Sequence, residues 1–119
     1  MDILLISDTP EKWMTCLPVF EQEGYSLSTV PNMPDALSHI RNTPPVLTIL
    51  DLFTDAREIR QAIISMLMVN AAVHTAVTSD LSEQDFHDTM EGLGILMSLP
   101  PVPEQKDILA LLAALKKVC

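Results

Sequence analysis

Asp8 and Asp51 are the residues of this 119-residue chain best placed to do chemistry. Each stands at the end of a short apolar run, Ile3 to Ser7 in one case and Val46-Leu47-Thr48-Ile49-Leu50 in the other. The second run shows no alternation of apolar and polar residues, so it reads as a strand buried on both faces, as in a parallel sheet covered by helices. A carboxylate that ends such a strand costs desolvation unless something pairs with it. In a doubly wound five-stranded sheet of order 2-1-3-4-5, the crevice lies outside the carboxyl ends of strands 1 and 3, where the winding direction changes. Both acids fall there, and converging carboxylate oxygens suit a hard cation such as Mg²⁺. Asp8 serves equally well as part of a helix cap, since Asp and Thr ahead of Pro10 are common caps.

The elements that must position these acids follow from periodicity. A strand over Ile3–Ser7 leads to Thr9, an expected N-cap, and Pro10 suits a first helical position. Trp13, Leu17 and Phe20 recur at helical spacing up to Gly24, with Pro18 expected to kink the helix. Tyr25–Val30 alternates as a more exposed second strand, and Asn32-Met33-Pro34-Asp35 opens a helix that runs through Ala36, Leu37 and Ile40 to Asn42. After Pro44-Pro45 comes the strand that Asp51 ends. Ile59, Ala62, Ile63, Met66 and Leu67 define one apolar face of a third helix. A fourth strand over Val73–Thr78 precedes Ser82-Glu83-Gln84-Asp85, a capping box with Asp in place of Glu, and a helix to Gly92. Ile95–Leu99 is the fifth strand, and Pro103–Val118 the last helix. Five strands alternating with five helices predict an α/β, doubly wound parallel sheet, because parallel strands need crossovers that cover both faces.

Composition narrows the partners. Seven basic against sixteen acidic residues give a net charge of −9, which opposes phosphate contacts, so nucleic acid is not expected. The opening residues carry no basic region, and their apolar run is too short for a signal peptide or a membrane span. Cys16 and Cys119 make neither a disulfide framework nor a metal spacing, which fits a reduced cytoplasmic protein. His39, His74 and His87 are scattered, without a paired spacing or a nearby nucleophile. A flavin site would need a Gly in "SDTPEKW", and a cobalamin site a His in that loop. Both are missing.

Taken in order, several segments resemble the receiver domains of bacterial response regulators, and the resemblance spans residues 1–119 as one domain. "ILLISDTP" is similar to the family's first strand and acidic turn, "FEQEGYSLSTVPNMPDAL" to its helix 1, strand 2 and helix 2 entry, and "ALSHIRNTPPVLTILDL" to the segment ending in its phosphoacceptor. "AVTS" is similar to the end of strand 4, and "GLGILMSLPP" resembles strand 5 with its cis-prolyl turn. The resemblance implies that Asp51 is the phosphoacceptor and that the Thr78 hydroxyl bonds a phosphoryl oxygen. It further implies that Asp8, Asp51 and the Phe53 carbonyl hold Mg²⁺. Its implied partners are a sensor histidine kinase or phosphotransfer protein and a protein output partner.

The chain also departs from the pattern. Ser7 stands where the family has the first of two acids, Thr54-Asp55 replaces a Met-Pro pair, and Leu99 and Leu96 stand where a lysine and an aromatic switch residue are usual. Losing one preorganised cation costs about 3 to 4 kcal/mol of transition-state stabilisation, or roughly 100-fold to 1000-fold in rate. Two readings result. One is a receiver that accepts phosphate on Asp51 with weakened chemistry. The other is a pseudo-receiver that acts as a phosphorylation-independent interaction module. Without a lysine, repulsion between Asp8 and Asp51 is expected to make Asp51→Asn stabilising. The last helix carries Ile108, Leu109, Leu111, Leu112 and Leu115, a surplus expected to support a homodimer or another protein contact.

Overall fold

The runs become strands because they are short, rich in leucine or β-branched residues and bounded by turn residues, four of them five or six residues long and the fifth three. In the computed structural model, which describes residues 1–118, they form one parallel sheet of five strands. These are β1 (Asp2–Ser7), β2 (Ser26–Val30), β3 (Leu47–Asp51), β4 (His74–Thr78) and β5 (Met97–Leu99), in the order β2-β1-β3-β4-β5. The connecting helices are α1 (Leu17–Gln22), α2 (Met33–Asn42), α3 (Ala56–Val69), α4 (Glu83–Met90) and α5 (Gln105–Val118). Fold class and strand order agree with the sequence reading. Cys119 lies outside the described residues.

The side-chain period of two divides the core into two layers. Ile3, Leu5, Ile49 and Ala76 pack with Trp13, Phe20 and the inner face of α5. Leu4, Ile6, Leu50 and Val77 pack with α2, α3 and α4 on the other side. Continuing the alternation by two residues from Leu5, Ile49 and Ala76 puts Ser7, Asp51 and Thr78 on the Trp13 side. Ser7 lies opposite Asp51 in the β1–β3 register, and the β3–β4 register runs through Leu50 opposite Val77, one residue short of Asp51 and Thr78. Three polar residues therefore end three adjacent strands in a row.

Helix starts follow the cap chemistry. Asn32 accepts from the Asp35 N–H at 2.9 Å, Ser82 from the Asp85 N–H at 3.2 Å, and Asp55 from the Arg57 N–H at 2.7 Å. Asp55 is thus the N-cap of α3, which gives the departure at Thr54-Asp55 a local structural reason.

The first crossover differs from the expectation of one helix from Pro10 to Gly24. Pro10–Trp13 is a 3₁₀ turn, and the α-helix begins only at Leu17. Pro18 has no N–H for the Met14 carbonyl and its ring would clash there, a helix-interior cost of about 3 kcal/mol. At the second position of a new helix that cost vanishes, so the chain breaks instead of kinking. Thr9 is not a side-chain cap. Its N–H donates to Ser7 Oγ at 3.1 Å, and its hydroxyl lies 3.5 Å from the same oxygen. None of the peptide bonds among the described residues is cis, so the implied cis-prolyl turn is absent.

The leucine surplus of the last helix is absorbed internally. Ile108, Leu111, Leu112 and Leu115 are buried against the sheet and α1, and of the five only Leu109 is half exposed. A helix that sits between a sheet face and a neighbouring helix buries two flanks, so a broad apolar face is no sign of an outside partner. Cys16 is fully buried in this layer with its thiol directed at the Pro103 carbonyl, 3.5 Å away, and burial pushes its pKa up.

Candidate functional site

Asp51 ends β3 with its side chain only 6% exposed, facing the layer that holds Trp13. Four donors converge on its carboxylate. Ser7 Oγ donates to Oδ2 at 2.9 Å and the Trp13 indole N–H to the same oxygen at 2.8 Å. Thr78 Oγ1 donates to Oδ1 at 2.8 Å, and the Lys12 ammonium lies 2.9 Å from it. A carboxylate offers about four lone-pair sites, so each oxygen has its full complement. Donors to an ionised acceptor make the stronger class of hydrogen bond, and Lys12 supplies the counter-charge that burial demands.

Each donor arrives for a local reason. Ser7 and Thr78 come from strand register. Lys12 and Trp13 come from the 3₁₀ turn, which the Pro18 break detaches from α1 and which lies across the end of β3. Trp13 is fully buried among apolar residues, so its N–H needs an acceptor within the protein. Asp51 is that acceptor.

The crevice beside Asp51 has a volume of about 280 Å³ and is lined by Asp8, Thr9, Lys12, Phe53, Thr78 and Asp80 among others. Asp8, Asp51, Phe53 and Thr78 therefore share one crevice, but they are unequal. Asp51 and Thr78 touch and are buried, Phe53 is partly buried at the wall, and Asp8 is exposed. The expected repulsion between two unpaired acids gives way to an Asp51 already surrounded by donors. Leu99, at the position where the resemblance calls for lysine, is buried in the core at 2% exposure. The ammonium comes instead from the loop after β1.

A Mg²⁺ site is a poor fit to these residues. Both oxygens of Asp51 are taken, one by an ammonium, and Ser7 contributes a donor hydroxyl that points at Asp51 where a metal needs an acceptor. Among the described residues no group of three or more His, Cys, Asp or Glu side chains is arranged to hold a metal ion.

Lys12 and Trp13 are the functional residues that sequence reasoning missed. Trp13 reads as one more apolar position of a helix, and Lys12 beside it belongs to no pattern. The available signal was a pair of needs: a buried Trp requires an acceptor, a buried Asp requires a cation, and the adjacent residues Lys12-Trp13 meet both.

The geometry is that of the receiver, or CheY-like, fold. The chain matches no protein-family model, and no curated protein matches it in sequence. Many solved structures match it in fold. A response regulator from Thermotoga maritima superposes with a TM-score of 0.80 at 13% identity, covering 98% of this chain and 97% of that one. A CheY-like response regulator receiver domain protein from Methanospirillum hungatei gives 0.74 at 15% identity, with coverages of 98% and 97%. A response regulator from Burkholderia pseudomallei, which carries a phosphorylated aspartic acid and a calcium ion, gives 0.73 at 18% identity over 98% of this chain and 69% of that one. At such identities the likeness establishes the fold.

Proposed function

We propose that this chain is a pseudo-receiver: a receiver-fold module of two-component-type signalling that acts through protein contacts and does not depend on phosphorylation. The observation that carries this reading is the saturated Asp51 carboxylate. A nucleophile needs a free lone pair to attack phosphorus, and here all the acceptor positions are occupied by Ser7, Lys12, Trp13 and Thr78. The reading is also supported by a surface suited to a partner. A groove of about 680 Å³ runs over β5 between α4 and α5, with Phe86, Met90 and Met97 among its apolar walls and Glu83, Glu91 and Asp107 among its acids. Its size and mixed chemistry suit a protein output partner.

One observation favours the phosphoacceptor reading. Lys12 is 27% exposed at the crevice and is the donor freest to leave Oδ1. In that reading its ammonium would move to the incoming phosphoryl oxygens, Thr78 would donate to one of them, and a histidine kinase or phosphotransfer protein would supply the group. Incubation with Mg²⁺ and a small phosphodonor, followed by intact mass measurement, decides. The pseudo-receiver gains no mass under conditions that fully label an ordinary receiver. One added phosphoryl group, lost in Asp51→Asn, would establish the phosphoacceptor.

A further inference from the structure

The geometry points to Lys12 as the resident cation of this site, an ammonium supplied by the chain itself that keeps divalent metal ions out of the crevice. It deepens the reading of a saturated Asp51 and concerns the charge that holds the site closed.

Three observations support it. Lys12 Nζ lies 2.9 Å from Asp51 Oδ1, on the crevice side of the carboxylate, where an entering metal ion would have to bind. Hard divalent ions bind carboxylate oxygens directly, at about 2.0 to 2.6 Å, but the two lone pairs of Oδ1 are taken by Thr78 and Lys12, and the ammonium repels an approaching cation. Next, Lys12 is not a surface lysine that happens to fold over. Its successor Trp13 is fully buried with its N–H bonded to Oδ2, while its own N–H donates to the Thr9 carbonyl at 3.3 Å. The Thr9 N–H is in turn held by Ser7 Oγ. The backbone on both sides of Lys12 is thus tied to the same cluster that its side chain neutralises. Finally, of the four donors only Lys12 and Thr78, both on Oδ1, line the crevice, whereas Ser7 and Trp13, both on Oδ2, do not. Of those two, Lys12 is the more exposed and carries the charge.

The consequence is a latent site. With the ammonium removed, Asp51 Oδ1 faces the crevice alongside the exposed Asp8, and the local charge becomes attractive to a dication. The replacement of Lys12, rather than the gain of any new ligand, should be enough to admit one.

The test uses Mn²⁺ as the probe and needs no phosphodonor, so its failure is distinct from failure of the pseudo-receiver reading. Wild type, Lys12→Met and Lys12→Arg are titrated with Mn²⁺. Binding is read from loss of the free-ion paramagnetic resonance signal and from emission of Trp13, the only tryptophan of the chain. Lys12→Met should bind Mn²⁺ at least about ten-fold more tightly than wild type, with a saturable change in Trp13 emission. Lys12→Arg, which keeps the charge, should behave as wild type. Saturable binding to wild type as tight as to Lys12→Met would overturn the proposal. So would a folded Lys12→Met protein with no gain over wild type. If Lys12→Met fails to fold, Lys12→Gln removes the charge while retaining a hydrogen-bond donor, and the same two outcomes apply.

Discussion

The two ends of the sheet carry the same chemical ingredients in different surroundings. At the carboxyl end, Asp51 receives a serine hydroxyl from Ser7 and a cation from Lys12. At the amino end, Asp2 receives a serine hydroxyl from Ser28 at 3.2 Å and the His39 imidazole at 3.2 Å. Asp51 is 6% exposed and has two further donors, whereas Asp2 is 28% exposed and its histidine partner 23%. Water can replace what Asp2 loses. It cannot easily reach Asp51. A list of ion pairs would treat the two ends alike, but burial makes one a cornerstone of the fold and leaves the other close to a screened surface contact.

Mutation should expose this difference in graded fashion. Asp51→Ala strands an ammonium, an indole N–H and two hydroxyls at once, and should cost about 3 to 5 kcal/mol in chemical denaturation, the range for breaking a buried charge cluster. Asp51→Asn should also destabilise, by a smaller amount, because a neutral amide no longer balances Lys12 and brings donors of its own toward donors. A stabilised Asp51→Asn protein would show that the acid is strained and not satisfied. Lys12→Met leaves the carboxylate with three donors but no counter-charge. Its partial exposure lets water compensate, so about 2 kcal/mol is expected without added metal. Trp13→Phe keeps most of the apolar contact and removes one donor to Oδ2, for about 1 to 2 kcal/mol. At the opposite end, His39→Ala should change stability by about 0.5 kcal/mol or less, and that small change should shrink further in high salt. Equal losses for Lys12→Met and His39→Ala would erase the proposed contrast between the two ends.

The sequence disclosed most where one physical rule acts alone. The unbroken run Val46–Leu50 reads as a doubly buried strand and the spacing from Ile59 to Leu67 as one helix face, so the alternation of elements and the fold class were legible, while the strand order came with the doubly wound fold type. The location of the crevice followed from topology, and with it the shared position of Asp8 and Asp51; Phe53 and Thr78 were added by the resemblance to receiver domains. Legibility failed where two rules competed. Trp13, Leu17 and Phe20 follow helical spacing, and that pattern hid the fact that Pro18 breaks the helix between them. The break makes Lys12-Trp13 a turn that folds onto Asp51, a contact across 39 and 38 positions that no local pattern records. The α5 leucines misled in a similar way, because periodicity counts apolar faces without saying which neighbours cover them.

The cluster around Asp51 also bears on the order of folding events. Its four bonds join residues separated by 27, 38, 39 and 44 positions along the chain. Each closes a long loop: the Ser7 bond needs β1 and β3 side by side, the Thr78 bond β3 and β4, and the Lys12 and Trp13 bonds the first crossover laid against β3, so the loop entropy is spent before these bonds return anything. We predict that these bonds form after the rate-limiting step and must be broken to leave the native state. They act as a latch on the way out and leave the way in almost untouched: weakening them should speed unfolding while folding proceeds at nearly its usual rate. On the proposed pseudo-receiver reading, the module gains a long native-state lifetime from the position that the receiver resemblance assigns to the phosphoacceptor.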